Sequence, residues 1–177
     1  MRIVAIGLGI ALIGASWGSE EVGYVAFGRS SLILGSMDKR TVFGVGVQSM
    51  RPERALRIRG NQAKLVRELY AYRSESNWFW APPGHAYHVG ALVSGRYEFG
   101  QGATRFFAEG GWGLQYSNRG SHDIESRWNS TPTVGIGAIF DSNLYLTLRL
   151  MHVSNGGLSN GRNKGQNWLM FMVGKRF

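Results

Sequence analysis

Beyond residue 18 the chain alternates. Apolar side chains recur at every second position in one stretch after another, whereas the spacing of an amphipathic helix is hard to find. This pattern predicts β-strands at about 22–29, 41–49, 62–74, 86–98, 104–116, 131–140, 143–154 and 167–177. In the seventh, Leu144, Leu146, Leu148 and Leu150 point one way, and Tyr145, Thr147, Arg149 and Met151 the other. In the fourth, Tyr87, Val89, Ala91, Val93 and Tyr97 oppose His88, Ser94, Arg96 and Glu98. In the fifth, Phe106, Ala108, Trp112, Leu114 and Tyr116 share a face against Arg105, Glu109 and Gln115, with Gly111 and Gly113.

One face of these strands is apolar with aromatic ends, and the other is small, polar or charged. A soluble barrel turns its apolar face inward, and its interior has no use for Arg96, Glu98, Arg105, Glu109, Arg149 and Arg176. A barrel in lipid inverts the arrangement: apolar residues face acyl chains and polar ones fill the lumen. Lipid supplies no hydrogen bonds, so the sheet must close on itself. The predicted fold is therefore all-β, an eight-stranded antiparallel transmembrane β-barrel. In so narrow a barrel the inward Arg and Glu residues read as a plug of paired charges. Arg67 is the misfit, falling with Ala63, Leu65 and Leu69 on the lipid face.

The connections fit an outer-membrane placement. If the chain enters from the periplasm, the long connections near 30–40, 75–85, 117–130 and 155–166 lie outside the cell. Those near 99–103 and 141–142 are short inner turns, and 50–61 reads as a longer inner connection. Leu169, Phe171 and Val173 lead to Phe177, the pattern of a terminal barrel strand, interrupted by Lys175.

Composition narrows the picture. The 177 residues contain no Cys, which excludes a disulfide scaffold and a thiolate zinc site. The 26 Gly residues fit a crowded lumen, since none of the Gly pairs has the strand–turn–helix context of a phosphate loop. A net charge of +9 suits acidic partners, but the basic residues are scattered apart from Arg51, Arg54, Arg57 and Arg59, and no nucleic-acid motif accompanies them. Residues 1–18 (MRIVAIGLGIALIGASWG) carry a basic start, an apolar stretch from Ile3 to Gly14, and small residues at Ser16 and Gly18. They are expected to be a secretory signal peptide, leaving 19–177 as one outer-membrane barrel domain.

The candidate chemistry sits at the end of the seventh strand. The face that carries Leu144 to Leu150 continues with His152 and Ser154. Residues two apart on a strand lie about 6.5–7 Å apart and project to one side, which gives the nucleophile-plus-base pair of acyl transfer. Parity in the last strand puts Asn167 on the same outward face, beside His152, where an amide can hold the second ring nitrogen. Asn155 and the backbone of Gly156 and Gly157 follow the serine directly and can donate to an oxyanion. The plainer alternative is an interfacial histidine beside ordinary Ser-Asn-Gly-Gly loop chemistry. His85 and His88, three apart with no carboxylate near, do not make a metal site, and no metal or cofactor is expected.

His152-Val153-Ser154-Asn155-Gly156-Gly157, followed by Asn163-Lys164-Gly165-Gln166-Asn167, resembles the signature of the PagL-type lipid A 3-O-deacylases. The resemblance implies an outer-membrane enzyme that hydrolyses the 3-O-linked ester of lipid A from the outer leaflet without a metal. It implies His152 as base, Ser154 as nucleophile, and Asn155 and the Gly157 amide as the oxyanion hole. The family pattern ends in an acidic residue, usually Glu, where this chain has Asn167; Asp123 and Glu125 are the nearest alternative acids in sequence. Lipid A, as lipopolysaccharide in the outer leaflet, is the implied partner, with Arg119, Arg127, Arg162 and Lys164 as candidate contacts to its phosphates. The rival function is a non-enzymatic small barrel, an adhesin or membrane-stabilising protein.

Overall fold

The computed structural model describes residues 20–30, 38–58, 61–76, 84–157 and 161–177. The expected signal peptide, 1–18, lies outside them. The described chain is all strand and turn: β1 (Glu20–Ser30), β2 (Arg40–Ile58), β3 (Asn61–Ser76), β4 (His85–Phe99), β5 (Thr104–Ser117), β6 (Trp128–Ser130), β7 (Thr133–Phe140), β8 (Leu144–Val153) and β9 (Gln166–Arg176). Every pairing is antiparallel. Pairing of β1 with β9, from Val22↔Arg176 to Ser30↔Trp168, and of β4 with β5 closes the sheet into a barrel.

The barrel has eight staves because β6 and β7 are one strand broken at Pro132. Ser130 lies opposite Leu114 and Thr133 opposite Gly111, so the register on β5 runs through the break unchanged. Proline has no N–H to give the ladder. Its carbonyl still accepts from the His152 N–H at 2.9 Å, and the Thr131 N–H bonds to the Gly113 carbonyl at 2.8 Å.

One expectation needs correction. The segment 50–61, read as an inner connection, is mostly paired strand: β2 and β3 run on to Ile58↔Asn61, with a register shift between Glu53 and Arg57. A hairpin that extends past the lipid belt needs no apolar face, so the alternation that reveals the other strands is absent there.

The faces are inverted as the pattern predicts. Phe27, Val93, Trp112, Ile136 and Phe171 are exposed on the outside, while Glu68, Arg96, Glu109 and Arg149 are buried within. Arg67 keeps its outward parity, half-buried opposite Ser49 and Val93. Inside, Arg149 clamps both Glu68 carboxylate oxygens at 2.7 and 2.8 Å and reaches Glu109 at 2.7 Å. Arg96 bonds the other Glu109 oxygen at 2.7 Å and the Gln48 carbonyl at 2.8 Å; the Gln48 amide returns to Glu68 at 2.7 Å. Tyr24 donates to Glu68 at 2.6 Å. Two cations and two anions thus cancel, each with several partners, which is what makes charge tolerable without water. The bore is filled, and side-chain bulk is fitted by glycine: a Cβ on Gly46 would lie 2.3 Å from the Tyr24 hydroxyl.

The outer end is tied by polar groups. The Asp38 N–H bonds the buried Asp123 carboxylate at 2.8 Å, and Arg40 joins Asp38 and Ser74 at 2.8 and 2.9 Å. The segment entering β9 is held against the loop after β5 by Glu125 N–H to Arg162 carbonyl at 3.0 Å and Lys164 N–H to Asp123 carbonyl at 2.9 Å. These bonds build a firm wall beside the end of β8.

Candidate active site

Register on β8 puts His152 between two strands, opposite Asn167 of β9 and level with Pro132. His152 Nδ1 and Asn167 Oδ1 are 2.8 Å apart. The amide oxygen only accepts, so Nδ1 carries the proton and Nε2 keeps its lone pair. That is the tautomer a general base needs. His152, Ser154 and Asn167 are each half-buried on the outer surface, at the extracellular end of the apolar stripe.

A further residue shapes the imidazole's seat. Gly165 crosses the ring so closely that an added Cβ would stand 2.5 Å from Cε1 and 3.1 Å from Nε2. Its φ of +74° lies in the left-handed region that favours glycine. Space and backbone therefore both demand glycine there.

Ser154 shares the outward face with His152. Its backbone is paired reciprocally with Ser130: Ser130 N–H to Ser154 carbonyl at 2.6 Å, and Ser154 N–H to Ser130 carbonyl at 3.1 Å. The two hydroxyl oxygens are 3.4 Å apart. Among the described residues no hydrogen bond joins Ser154 to His152; the serine hydroxyl faces Ser130 instead. Asn155 is buried, its N–H bonded to Asn163 Oδ1 at 3.1 Å. The Gly157 N–H turns back to Asn155 Oδ1 at 2.9 Å, through a tight bend with φ of +59° at Gly156 and +80° at Gly157.

The alternative acids are held elsewhere. Glu125 accepts the Arg162 N–H at 3.1 Å, and Asp123 is buried against Asp38 and His122. Arg162 also reaches the His122 carbonyl at 3.2 Å, while Arg119 and Arg127 are exposed at the outer rim. His85 and His88 point to opposite faces; His88 bonds Ser74 and Ser117 inside the barrel, each at 2.8 Å. Ser130 was missed in the sequence, and Gly165, quoted within the motif, was given no role there. Ser130 precedes Pro132 by two residues, so a strand read from residue 131 leaves it in the loop. Register counted back across the proline would have found it.

A family model described as lipid A 3-O-deacylase (PagL) matches residues 41–176. The chain belongs to the PagL family. The match runs from the start of β2 into β9 and so includes every residue of the His152 constellation. Among solved structures, that of the outer membrane enzyme PagL is similar, with a TM-score of 0.72 and 16% identity over 87% of this chain and 98% of that one. Neisserial surface protein A (NspA) gives a TM-score of 0.49 and 15% identity over 89% of this chain and 96% of that one. No curated protein sequence matches the chain. The barrel is thus a PagL-type outer-membrane barrel with its apolar face in lipid.

Proposed function

We propose that this protein is a lipid A 3-O-deacylase working as a serine esterase at the outer-leaflet surface. The observation that carries the reading is the 2.8 Å His152–Asn167 contact, which readies Nε2 as a base on the same lipid-facing surface as Ser154. Ser154 changes side-chain rotamer from Ser130 toward Nε2, a single staggered step, as the substrate arrives. Its Oγ then bonds to the carbonyl carbon of the 3-O-linked ester, and its proton passes to His152 Nε2. The tetrahedral intermediate collapses, and the sugar 3-oxygen leaves with that proton. Water attacks the acyl-serine, His152 again takes and returns the proton, and a 3-hydroxy fatty acid departs with Ser154 restored.

Asn155 and the Gly157 amide, next to the nucleophile, are the proposed oxyanion donors; the Gly157 N–H must exchange Asn155 Oδ1 for the substrate oxygen. Asn167 fixes the tautomer without supplying a negative charge to the imidazolium. The acyl chains lie along Leu150 and Leu148, below His152 on the same strand face. Arg119 and Arg127 at the rim meet the lipid A phosphates.

The test is mass spectrometry of lipid A from cells expressing the protein, Ser154→Ala or His152→Ala. Loss of a 3-hydroxy acyl chain is expected with the wild-type protein alone, while all three migrate as folded, heat-modifiable barrels. Deacylation by either variant overturns the proposal, and unchanged lipid A throughout favours the non-enzymatic barrel.

A further inference from the structure

We propose that Ser130 is an additional catalytic residue whose hydroxyl donates a hydrogen bond to the oxyanion formed on Ser154; this rests on the serine-esterase reading above. Its position is set by the sheet. The reciprocal backbone bonds of 2.6 and 3.1 Å lock Ser130, the last residue of β6, beside Ser154, the residue after β8. At rest the Ser130 Oγ stands 3.4 Å from the nucleophile's Oγ, and the backbone bonds keep Ser130 in place when Ser154 turns toward His152. The oxyanion forms on the carbon bonded to that nucleophile, one atom removed. A donor held at that spot is a neighbour of the reacting carbonyl, whose oxygen must come within about 2.7–3.1 Å of it for the bond to form.

The Ser130 hydroxyl is available for this. Its resting acceptor is the Ser154 carbonyl at 3.2 Å, a long contact. That same carbonyl already accepts the Ser130 N–H at 2.6 Å, so it stays satisfied when the hydroxyl turns away. Turning the O–H toward the substrate needs only rotation about one bond. The Gly157 N–H, by comparison, begins engaged with Asn155 Oδ1 at 2.9 Å. Ser130 is also sheltered, 8% exposed, with Gly156 so near that an added Cβ would touch Oγ at 3.4 Å. A donor shielded from water acts more strongly on a nearby charge.

The contribution falls in the transition state. As Ser154 Oγ bonds to the carbonyl carbon, its proton moves to His152 and the carbonyl π electrons move to oxygen. Ser130 donates to that oxygen and keeps its own proton. When the electrons return, the 3-oxygen leaves with the proton from His152, and Ser130 reverts to the Ser154 carbonyl. A bond to an anion is stronger than one to a neutral ester, so kcat should respond and KM should not.

The experiment measures release of 3-hydroxy acid from purified lipid A in detergent micelles by the wild type and by Ser130→Ala, Ser130→Cys, Ser130→Thr and Ser154→Ala. Cysteine keeps the shape but is a weak donor, and threonine keeps the hydroxyl. Ser130→Ala and Ser130→Cys should lose about 10²-fold in kcat with KM nearly unchanged, while Ser130→Thr stays within about tenfold of wild type. Heat-modifiable migration identifies the folded variants, and the cysteine variant carries the test if alanine does not fold. Near-wild-type kcat in a donor-free variant, a loss expressed in KM, or a threonine variant as slow as the cysteine one overturns the role of Ser130. Activity in Ser154→Ala would instead overturn the esterase reading itself.

Discussion

Replacing Gly165 by alanine separates catalytic geometry from stability. The added Cβ would lie 2.5 Å from His152 Cε1, and ordinary contact begins at 3.4 Å, so the ring must retreat by the difference, about 0.9 Å. Asn167 holds the adjoining Nδ1 at 2.8 Å, and that bond must stretch or swing as the imidazole moves. A misplacement of about 1 Å at a reacting group costs on the order of 10²-fold in rate. The backbone adds a second, separable effect. An alanine at φ +74° costs about 1–2 kcal/mol of stability. The strain-matched control is Gly102→Ala, at φ +93° with nothing within 4 Å of the new Cβ, in the turn at the far end of the barrel. Purified variants are assayed for release of 3-hydroxy acid from lipid A and for thermal unfolding in the same detergent. Both should lose similar stability, and only Gly165→Ala should lose about 10²-fold in kcat. Equal activity in the two variants would refute the reasoning, because it would mean that the seat of the ring does not govern the reaction.

Two further outcomes follow from the same contacts. Asn167→Asp keeps the length of the side chain that now reaches His152 at 2.8 Å and adds a negative charge. It should raise kcat by about tenfold through a charge-assisted bond, and Asn167→Ala should lower it. Unchanged kcat in both variants contradicts the assignment. In the lumen, Arg149→Met leaves Glu68 without a cation and Glu109 with Arg96 alone, and should cost about 3–5 kcal/mol in denaturant unfolding, whereas Arg73→Met, from an exposed pair with Glu75, should cost under about 1 kcal/mol. Equal losses would refute the plug.

Legibility in the sequence followed the solvent. Where a strand crosses lipid, period-two patterning is enforced on both faces, and Leu144 to Leu150 against Tyr145 to Met151 reads as inside and outside without coordinates. Where β2 leaves the bilayer, water satisfies either face, and its run from Arg51 to Ile58, paired with β3 as far as Asn61, left no such mark. The candidate site lies at that border. His152, Ser154 and Asn167 were legible because each breaks an apolar stripe at a countable parity. Ser130 was hidden by Pro132, which ends hydrogen bonding to one neighbour without shifting the register. Gly165 stood in the quoted motif, but its role was hidden for a different reason: a glycine after Lys164 looks like any turn residue, and its demand comes from the imaginary Cβ meeting an imidazole thirteen residues earlier in the chain. Parity thus finds side chains that point the wrong way for their surroundings, but not residues whose contribution is a backbone bond or an empty space. Register still limits where such residues can sit: the β8–β9 ladder ends at Val153↔Gln166, and Ser154 and Gly165 are the next residue on each side. The same geometry that keeps the sheet closed against lipid therefore sets the imidazole and its amide partner, so the proposed catalysis depends on barrel closure at this rim.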